Sequence, residues 1–273
     1  MKQFKGHKGW INSVAFSPDG KTILTSSEYE PVRLWDLQGN LTHEFKVGDK
    51  WSVTSVAFSP DGKYILTGSS DNTARLWNLQ ENTVQEFRGH QSSVSSVAFS
   101  PDGKYILTGS SDKTARLWNR QGNTVQEFNG HKYGVTSVAF SPDGKTILTG
   151  SKDDTARLWG LQEKTVREFK GHKSDVTSVA FSPDGKTIFT GSNDNTARLW
   201  DLQGNMVKEF KGHESYVSSV AFSPDGKYIL IGSLSETARL WRVPMSLEDF
   251  LEKGNLVKLT EKQKRKYGIE DYG

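Results

Sequence analysis

A histidine, a serine and an aspartate fall within one short span at His90, Ser110 and Asp112, residue types that can run nucleophilic hydrolysis. In that chemistry the carboxylate orients the imidazole, the imidazole takes the hydroxyl proton, and the oxygen attacks a carbonyl. The same types recur at His131, Ser151 and Asp153 and at His172, Ser192 and Asp194. Each set is followed by a tryptophan, Trp118, Trp159 or Trp200. Three equivalent active sites in one fold are implausible, so the repetition argues for a structural role. Thr108, on the same side of its strand as Ser110, is an alternative hydroxyl. Other site chemistry is thin. Every histidine except His43 takes this repeated position, so no metal site is expected, and the recurring SPDGK lacks the strand-to-helix setting of a phosphate-binding loop. No cofactor is expected.

The elements that position these residues are set by a period. The prolines Pro60, Pro101, Pro142, Pro183 and Pro224 stand 41 residues apart, and Pro18 precedes them by 42. Six near-identical segments begin at Phe4, Phe45, Phe87, Phe128, Phe169 and Phe210, each too short to fold alone. Within the third, Val94 to Ser100 alternates as a strand, a, with Val97 and Phe99 on one side and Val94, Ser96 and Ala98 on the other. Ser100-Pro101-Asp102-Gly103 reverses the chain into strand b, Tyr105 to Ser110. Strand c, Thr114 to Trp118, and strand d, Thr124 to Phe128, follow polar turns. Four short antiparallel strands with apolar residues on both faces suit a sheet packed between two neighbours. Radial repetition of such sheets predicts an all-β propeller of six four-stranded blades.

Composition narrows the class. The chain has 273 residues, 34% of them hydrophobic, no cysteine and a formal charge of +3. Its mean hydropathy is -0.61. Disulfides and thiolate metal sites are excluded. No apolar run approaches the roughly 18 residues of a membrane span, so no membrane association is expected and a cytoplasmic location is. Basic residues spread over every repeat predict no nucleic-acid partner.

The Gly-His pair, the Arg-Leu-Trp strand and the aspartate six residues before each Trp resemble the WD-repeat (WD40) propeller family over residues 1 to about 243. Trp35-Asp36 and Trp200-Asp201 spell the eponymous dipeptide, and the near-identical repeats resemble bacterial members. The resemblance implies a buried Asp, His, Ser and Trp tetrad in each complete blade. It also implies that the N-terminal strand closes the last blade, here Met1 to Phe4 against Thr237 to Trp241. Gly254 to Thr260 is an alternative closing strand, and a longer array with a seventh blade is a third reading. Residues 244–273 leave the repeat and are expected to form two short helices around an extended link, as a cap or a partner-binding tail.

Differences between copies point to function. They gather in the residues after Gly-His and around the b-c turn, two segments on one rim, which in the family is the usual partner-binding face. Blade 1 has Glu28-Tyr29-Glu30 in place of the turn aspartate, blade 2 has Asp49 in place of the histidine, and blade 6 has Ser235 in place of the aspartate. In a closed ring, blades 6, 1 and 2 are consecutive. The candidate rim is therefore Trp10, Asn12, Glu28, Tyr29, Glu30, Trp51, Thr54, Tyr216 and Leu234. The expected activity is non-enzymatic binding of a protein or peptide of unknown identity, as a scaffold or as the sensing half of a larger system with its own effector. Two alternatives stand: a propeller hydrolase drawing on Glu28, Glu30, Asp49 or Asp175, and a self-assembling module.

Overall fold

A computed structural model of the chain describes residues 3–48, 50–235 and 237–243. Its described residues form an all-β, six-bladed propeller of antiparallel sheets. Contacts divide the chain into Met1–Trp241 and Arg242–Gly273, and the helices expected in 244–273 lie outside the described residues. No helix among the described residues is long and apolar enough to cross a membrane.

Blade 1 comprises β1 (Ile11–Phe16), β2 (Thr22–Ser27), β3 (Val32–Asp36) and β4 (Leu41–Phe45). Blade 2 comprises β5 (Val53–Phe58), β6 (Tyr64–Ser69), β7 (Ala74–Asn78) and β8 (Val84–Phe87). Blade 3 comprises β9 (Val94–Phe99), β10 (Tyr105–Ser110), β11 (Ala115–Asn119) and β12 (Thr124–Phe128). Blade 4 comprises β13 (Val135–Phe140), β14 (Thr146–Ser151), β15 (Ala156–Gly160) and β16 (Val166–Phe169). Blade 5 comprises β17 (Val176–Phe181), β18 (Thr187–Ser192), β19 (Ala197–Asp201) and β20 (Met206–Phe210). Blade 6 has three described strands, β21 (Val217–Phe222), β22 (Tyr228–Ser233) and β23 (Ala238–Arg242).

The a-b reversal is built as the SPDG sequence dictates. In blade 3, Ser100 Oγ donates to Asp102 Oδ1 at 2.7 Å and accepts the Tyr105 N–H at 2.9 Å, while Gly103 takes φ +69°. A non-glycine residue would be strained at that corner. Strand a departs from strict alternation. A bulge between Gly109 and Ser110 shifts the β9–β10 register, and Val94 and Val97, three residues apart, are both buried. The valines expected on opposite sides therefore share one face.

Blades pack through that face. The methyls of Val94 and Val97 lie against Gly68 of blade 2, so close that a Cβ there would sit 2.9 Å from each. Leu66, Ala74, Leu76 and Phe87 of blade 2 share a core with Val94, Val97, Ile106 and Trp118 of blade 3. Blades 3 and 4 repeat the arrangement with Leu107, Leu117, Val135, Val138 and Trp159. Apolar area leaving water on both sides of each sheet supplies the drive.

The expected clasp is not formed among the described residues. Gln3 and Phe4 are outside any strand, Met1 and Lys2 lie outside the described residues, and so does Gly254 to Thr260. The first strands of consecutive blades pack from β1–β5 through β17–β21, with no comparable packing of β21 on β1 among the described residues. Among the described residues, blades 6, 1 and 2 therefore do not form the continuous arc expected of a closed ring.

Candidate functional site

Blades 3, 4 and 5 each contain a buried polar relay, and its hydroxyl is threonine. The Trp118 indole N–H donates to Thr108 Oγ1 at 2.9 Å. The Thr108 hydroxyl meets His90 Nε2 at 2.7 Å, and the His90 Nδ1–H donates to Asp112 Oδ2 at 2.7 Å. His131, Thr149, Asp153 and Trp159 repeat this in blade 4, and His172, Thr190, Asp194 and Trp200 in blade 5. The expected Ser110, Ser151 and Ser192 stand outside the relay. Their hydroxyls donate to the backbone oxygens of Ser92, Tyr133 and Ser174 and accept the N–H of the turn aspartate. The reason is reach: Thr108 lies directly across β10–β11 from Arg116, two residues before Trp118, whereas Ser110 lies at the rim end of its strand.

The aspartates are the electrostatic anchors. Asp112 accepts from His90, from the Gln91 N–H at 2.9 Å, and from the Thr114 N–H and hydroxyl. Burial works against its ionisation, but the hydrogen bonds from His90, Thr114 and Gln91 outweigh burial and hold the carboxyl well below the usual range. Asp153 and Asp194 are held low by the same balance. The His90 side chain is fully buried and that of Asp112 nearly so.

Blade 1 completes its relay with Glu30. The Trp35 indole donates to Thr25, Thr25 meets His7 Nε2 at 2.8 Å, and His7 Nδ1 lies 2.6 Å from Glu30 Oε2. Glu30, expected on the partner-binding rim, is thus an internal group. Pro31 follows it and disfavours a left-handed or helical backbone at Glu30. The turn takes its positive φ at Tyr29 instead, at +55°, and the longer carboxylate reaches back to the histidine. In blade 2, Trp77 still donates to Thr67 at 3.1 Å, while Asp71 pairs with Arg75 at 2.7 Å; Asp49 lies outside the described residues.

On the rim, the b-c turn is tied to the segment before strand a. The Glu28 N–H donates to the Trp10 oxygen at 3.1 Å, Ser70 to Ser52 at 2.9 Å and Leu234 to Tyr216 at 3.0 Å. The exposed side chains there are Trp10 at 81%, Tyr29 at 64%, Trp51 at 48%, Tyr216 at 51% and Leu234 at 65%. Tyr133 of blade 4 is also exposed, an aromatic that comparison of defective blades passes over because its own relay is intact. Asn12 and Thr54, expected on the rim, are not free groups. The Asn12 amide donates to the Val53 oxygen at 3.0 Å, and the Thr54 hydroxyl donates to the Val94 oxygen at 2.5 Å, so both join neighbouring blades. No cluster of metal-binding type occurs among the described residues.

A family described as IFT122 first beta-propeller matches residues 1–242. The chain is a member of that WD-repeat β-propeller family. A WD repeat-containing protein of Synechocystis, slr1409, is 50% identical over 40 residues, which is 15% of this chain and 12% of that protein. Human apoptotic protease-activating factor 1 is 47% identical over 34 residues, 12% of this chain and 3% of its own length. Nuclear distribution protein PAC1 of Candida tropicalis is 36% identical over 39 residues, 14% of this chain and 8% of its own. The matched stretches are about one repeat long and a small part of each relative.

Blade 6 departs most from the WD-repeat relay. Ile231 stands where blades 1 to 5 have threonine, and Ser235 replaces the aspartate. His213 is buried with neither ring nitrogen bonded, and the Trp241 N–H is likewise without a partner. Burial, and secondarily the Arg239 charge, lowers the His213 pKa. A histidine with a depressed folded pKa stabilises the fold above its unfolded value, about 6.5, and loses that contribution as pH falls. Acidification from pH 7 to 5 should therefore raise amide exchange in β21–β23, corrected for intrinsic rates, ahead of β9–β20. Equal changes in both regions would contradict it.

Proposed function

We propose that the chain is a non-enzymatic binding module whose rim at blades 1 and 2 takes a segment of another protein or a peptide. The observation that carries this reading is the exposure of Trp10, Tyr29 and Trp51 on adjacent blades of one rim. Large aromatics presented from short turns tied to the sheet ends lose little entropy on contact and bury much apolar area, the properties of binding hot spots. Glu28 stands beside them with no relay role. WD-repeat propellers are typical protein-interaction scaffolds, which supports the class of partner. The bound segment would offer apolar side chains to the aromatics, and an effector acting on the signal would reside elsewhere in a larger system.

Panning a displayed peptide library on the chain tests this. Enriched peptides should lose about tenfold in affinity with Trp10→Ala and again with Trp51→Ala, in line with the usual cost of truncating a hot spot. The melting temperature should stay unchanged for Trp10→Ala, whose side chain stands in water, and fall slightly for Trp51→Ala, whose side chain is half-buried. Peptides that bind the double variant as well as the parent would sink the rim assignment.

A further inference from the structure

The seam between blades 6 and 1 exposes the two complementary halves of an interface that the protein builds five times elsewhere. On blade 1, Val14 is 65% exposed, whereas Val56, Val97, Val138, Val179 and Val220 at the same register are 6–7% exposed. Ile11 and Phe16 beside it are also exposed. On blade 6, Leu240 is 66% exposed, against 2–7% for Leu34, Leu76, Leu117 and Leu199. Leu230 is open where Leu24, Leu66, Leu107, Leu148 and Phe189 are fully buried.

Polar and turn contacts stop at the same seam. The hydroxyls of Ser13, Ser55, Ser96, Ser137 and Ser178 each accept the N–H of a valine in the next blade. Thr54, Ser95, Thr136 and Thr177 each donate to a valine oxygen of the next blade. Among the described residues, Ser218 donates within its own blade, to Gly232 at 3.3 Å. Gly62, Gly103, Gly144, Gly185 and Gly226 each approach the proline of the preceding turn, with a built Cβ 3.5–3.7 Å from it, but Gly20 has nothing within 4 Å.

The strands are also incomplete in matching ways. Among the described residues β23 carries no fourth strand, and Arg239 lacks the strand-d glutamate that pairs with Arg33, Arg116, Arg157 and Arg198. Phe4 lies 6.0 Å from Trp35, as Phe45, Phe87, Phe128, Phe169 and Phe210 lie 5.5–5.9 Å from the tryptophan of the following blade. Blade 1 thus already holds the end of a strand d whose a, b and c strands are not beside it.

From this geometry we infer that the seam is a docking site for one WD-type repeat from outside residues 1–273, in the strand order d, a, b, c. Its strand d completes blade 6 across β23. Its strands a to c form a seventh blade that covers Leu230 and Leu240 on one side and Ile11, Val14 and Phe16 on the other, with Gln3 and Phe4 at its outer edge. Drawing blade 6 directly onto blade 1 would instead change the rotation at all five existing interfaces. Gly68, Gly109, Gly150 and Gly191 are already in tight contact with valine methyls there, which leaves no room for that adjustment. Residues 244–273 hold neither an SPDG turn nor an Arg-Leu-Trp strand, so they do not encode such a repeat.

The probe is a synthetic peptide of residues 83–119, one unit of this chain in d, a, b, c order. Titrated into the full chain, it should bind one to one and raise the protection of amides in β1, β22 and β23. Val14→Lys and Leu240→Lys should each weaken binding at least tenfold and leave the melt of the free chain unchanged, since both positions are open to water. Four results would overturn the proposal: no binding; loss of binding in only one of the two variants; full protection of β1 and β22 without peptide, meaning the ring closes on itself; or a sedimenting dimer of the chain alone that Val14→Lys dissociates, meaning the seam joins two copies.

Discussion

Replacing Thr149 with valine should cost about 2–4 kcal/mol of stability, because it strands two buried groups that share one hydroxyl. His131 Nε2 and the Trp159 indole N–H both meet Thr149 Oγ1, at 2.7 and 2.9 Å, and Thr149 has no solvent exposure. Valine keeps the shape, so the loss is of hydrogen bonds and not of packing. Ser151→Ala should cost less, about 1 kcal/mol, since Ser151 bonds only to the Tyr133 oxygen and the Asp153 N–H near the rim. The comparison is read from urea midpoints, with amide exchange in β13–β16 as a local check because a repeat array need not unfold in one step. A larger loss for Ser151→Ala would return the serine to the relay.

That same contrast shows what sequence could and could not give. Period, turn and strand were legible because each rests on local chemistry: Pro101 and Gly103 fix a reversal, and Val94 to Phe99 is rich in β-formers. Threonine and serine at 108 and 110 were not separable, since both face the same side of one strand and only depth in the blade distinguishes them. Glu30 was misplaced on the rim because the effect of Pro31 on the turn is visible only once the histidine is in place. Asn12 and Thr54 look like free polar groups in sequence, and only the neighbouring blade reveals the carbonyls of Val53 and Val94 that take their hydrogens. Trp10, Tyr29 and Trp51 stand out in sequence as differences between copies, and the structure shows their side chains exposed. The open seam was not legible, because exposure at Val14 and Leu240 depends on what stands beside them and not on their own patterning.

Asp153→Ala is the other change with a large expected effect, about 3 kcal/mol, because it removes a buried carboxylate and leaves the donors that converge on it unpaired. The His131 Nδ1–H, the Lys132 N–H and the Thr155 N–H and hydroxyl all converge on this carboxylate. Its pKa is depressed in the folded state, and the sign of the pH dependence follows. A carboxyl with a lowered folded pKa contributes stability that is fully present above its unfolded value, about 3.9, and is lost as pH falls toward the folded one. Asp112, Asp153 and Asp194 act together, and Glu30 adds a smaller effect of the same sign: burial raises its pKa, and the hydrogen bonds from Lys8 and His7 lower it further. The melting temperature should therefore fall steeply below about pH 4. A triple variant with Asn at 112, 153 and 194 should melt lower at neutral pH yet lose little more in acid, because it has no carboxylate left to protonate at these three sites. The gap between the two curves should narrow steadily as pH falls below about 3.9 and close only once the parent carboxyls are protonated in the folded chain as well. Curves that stay parallel into acid would show that these carboxylates do not hold the blades together.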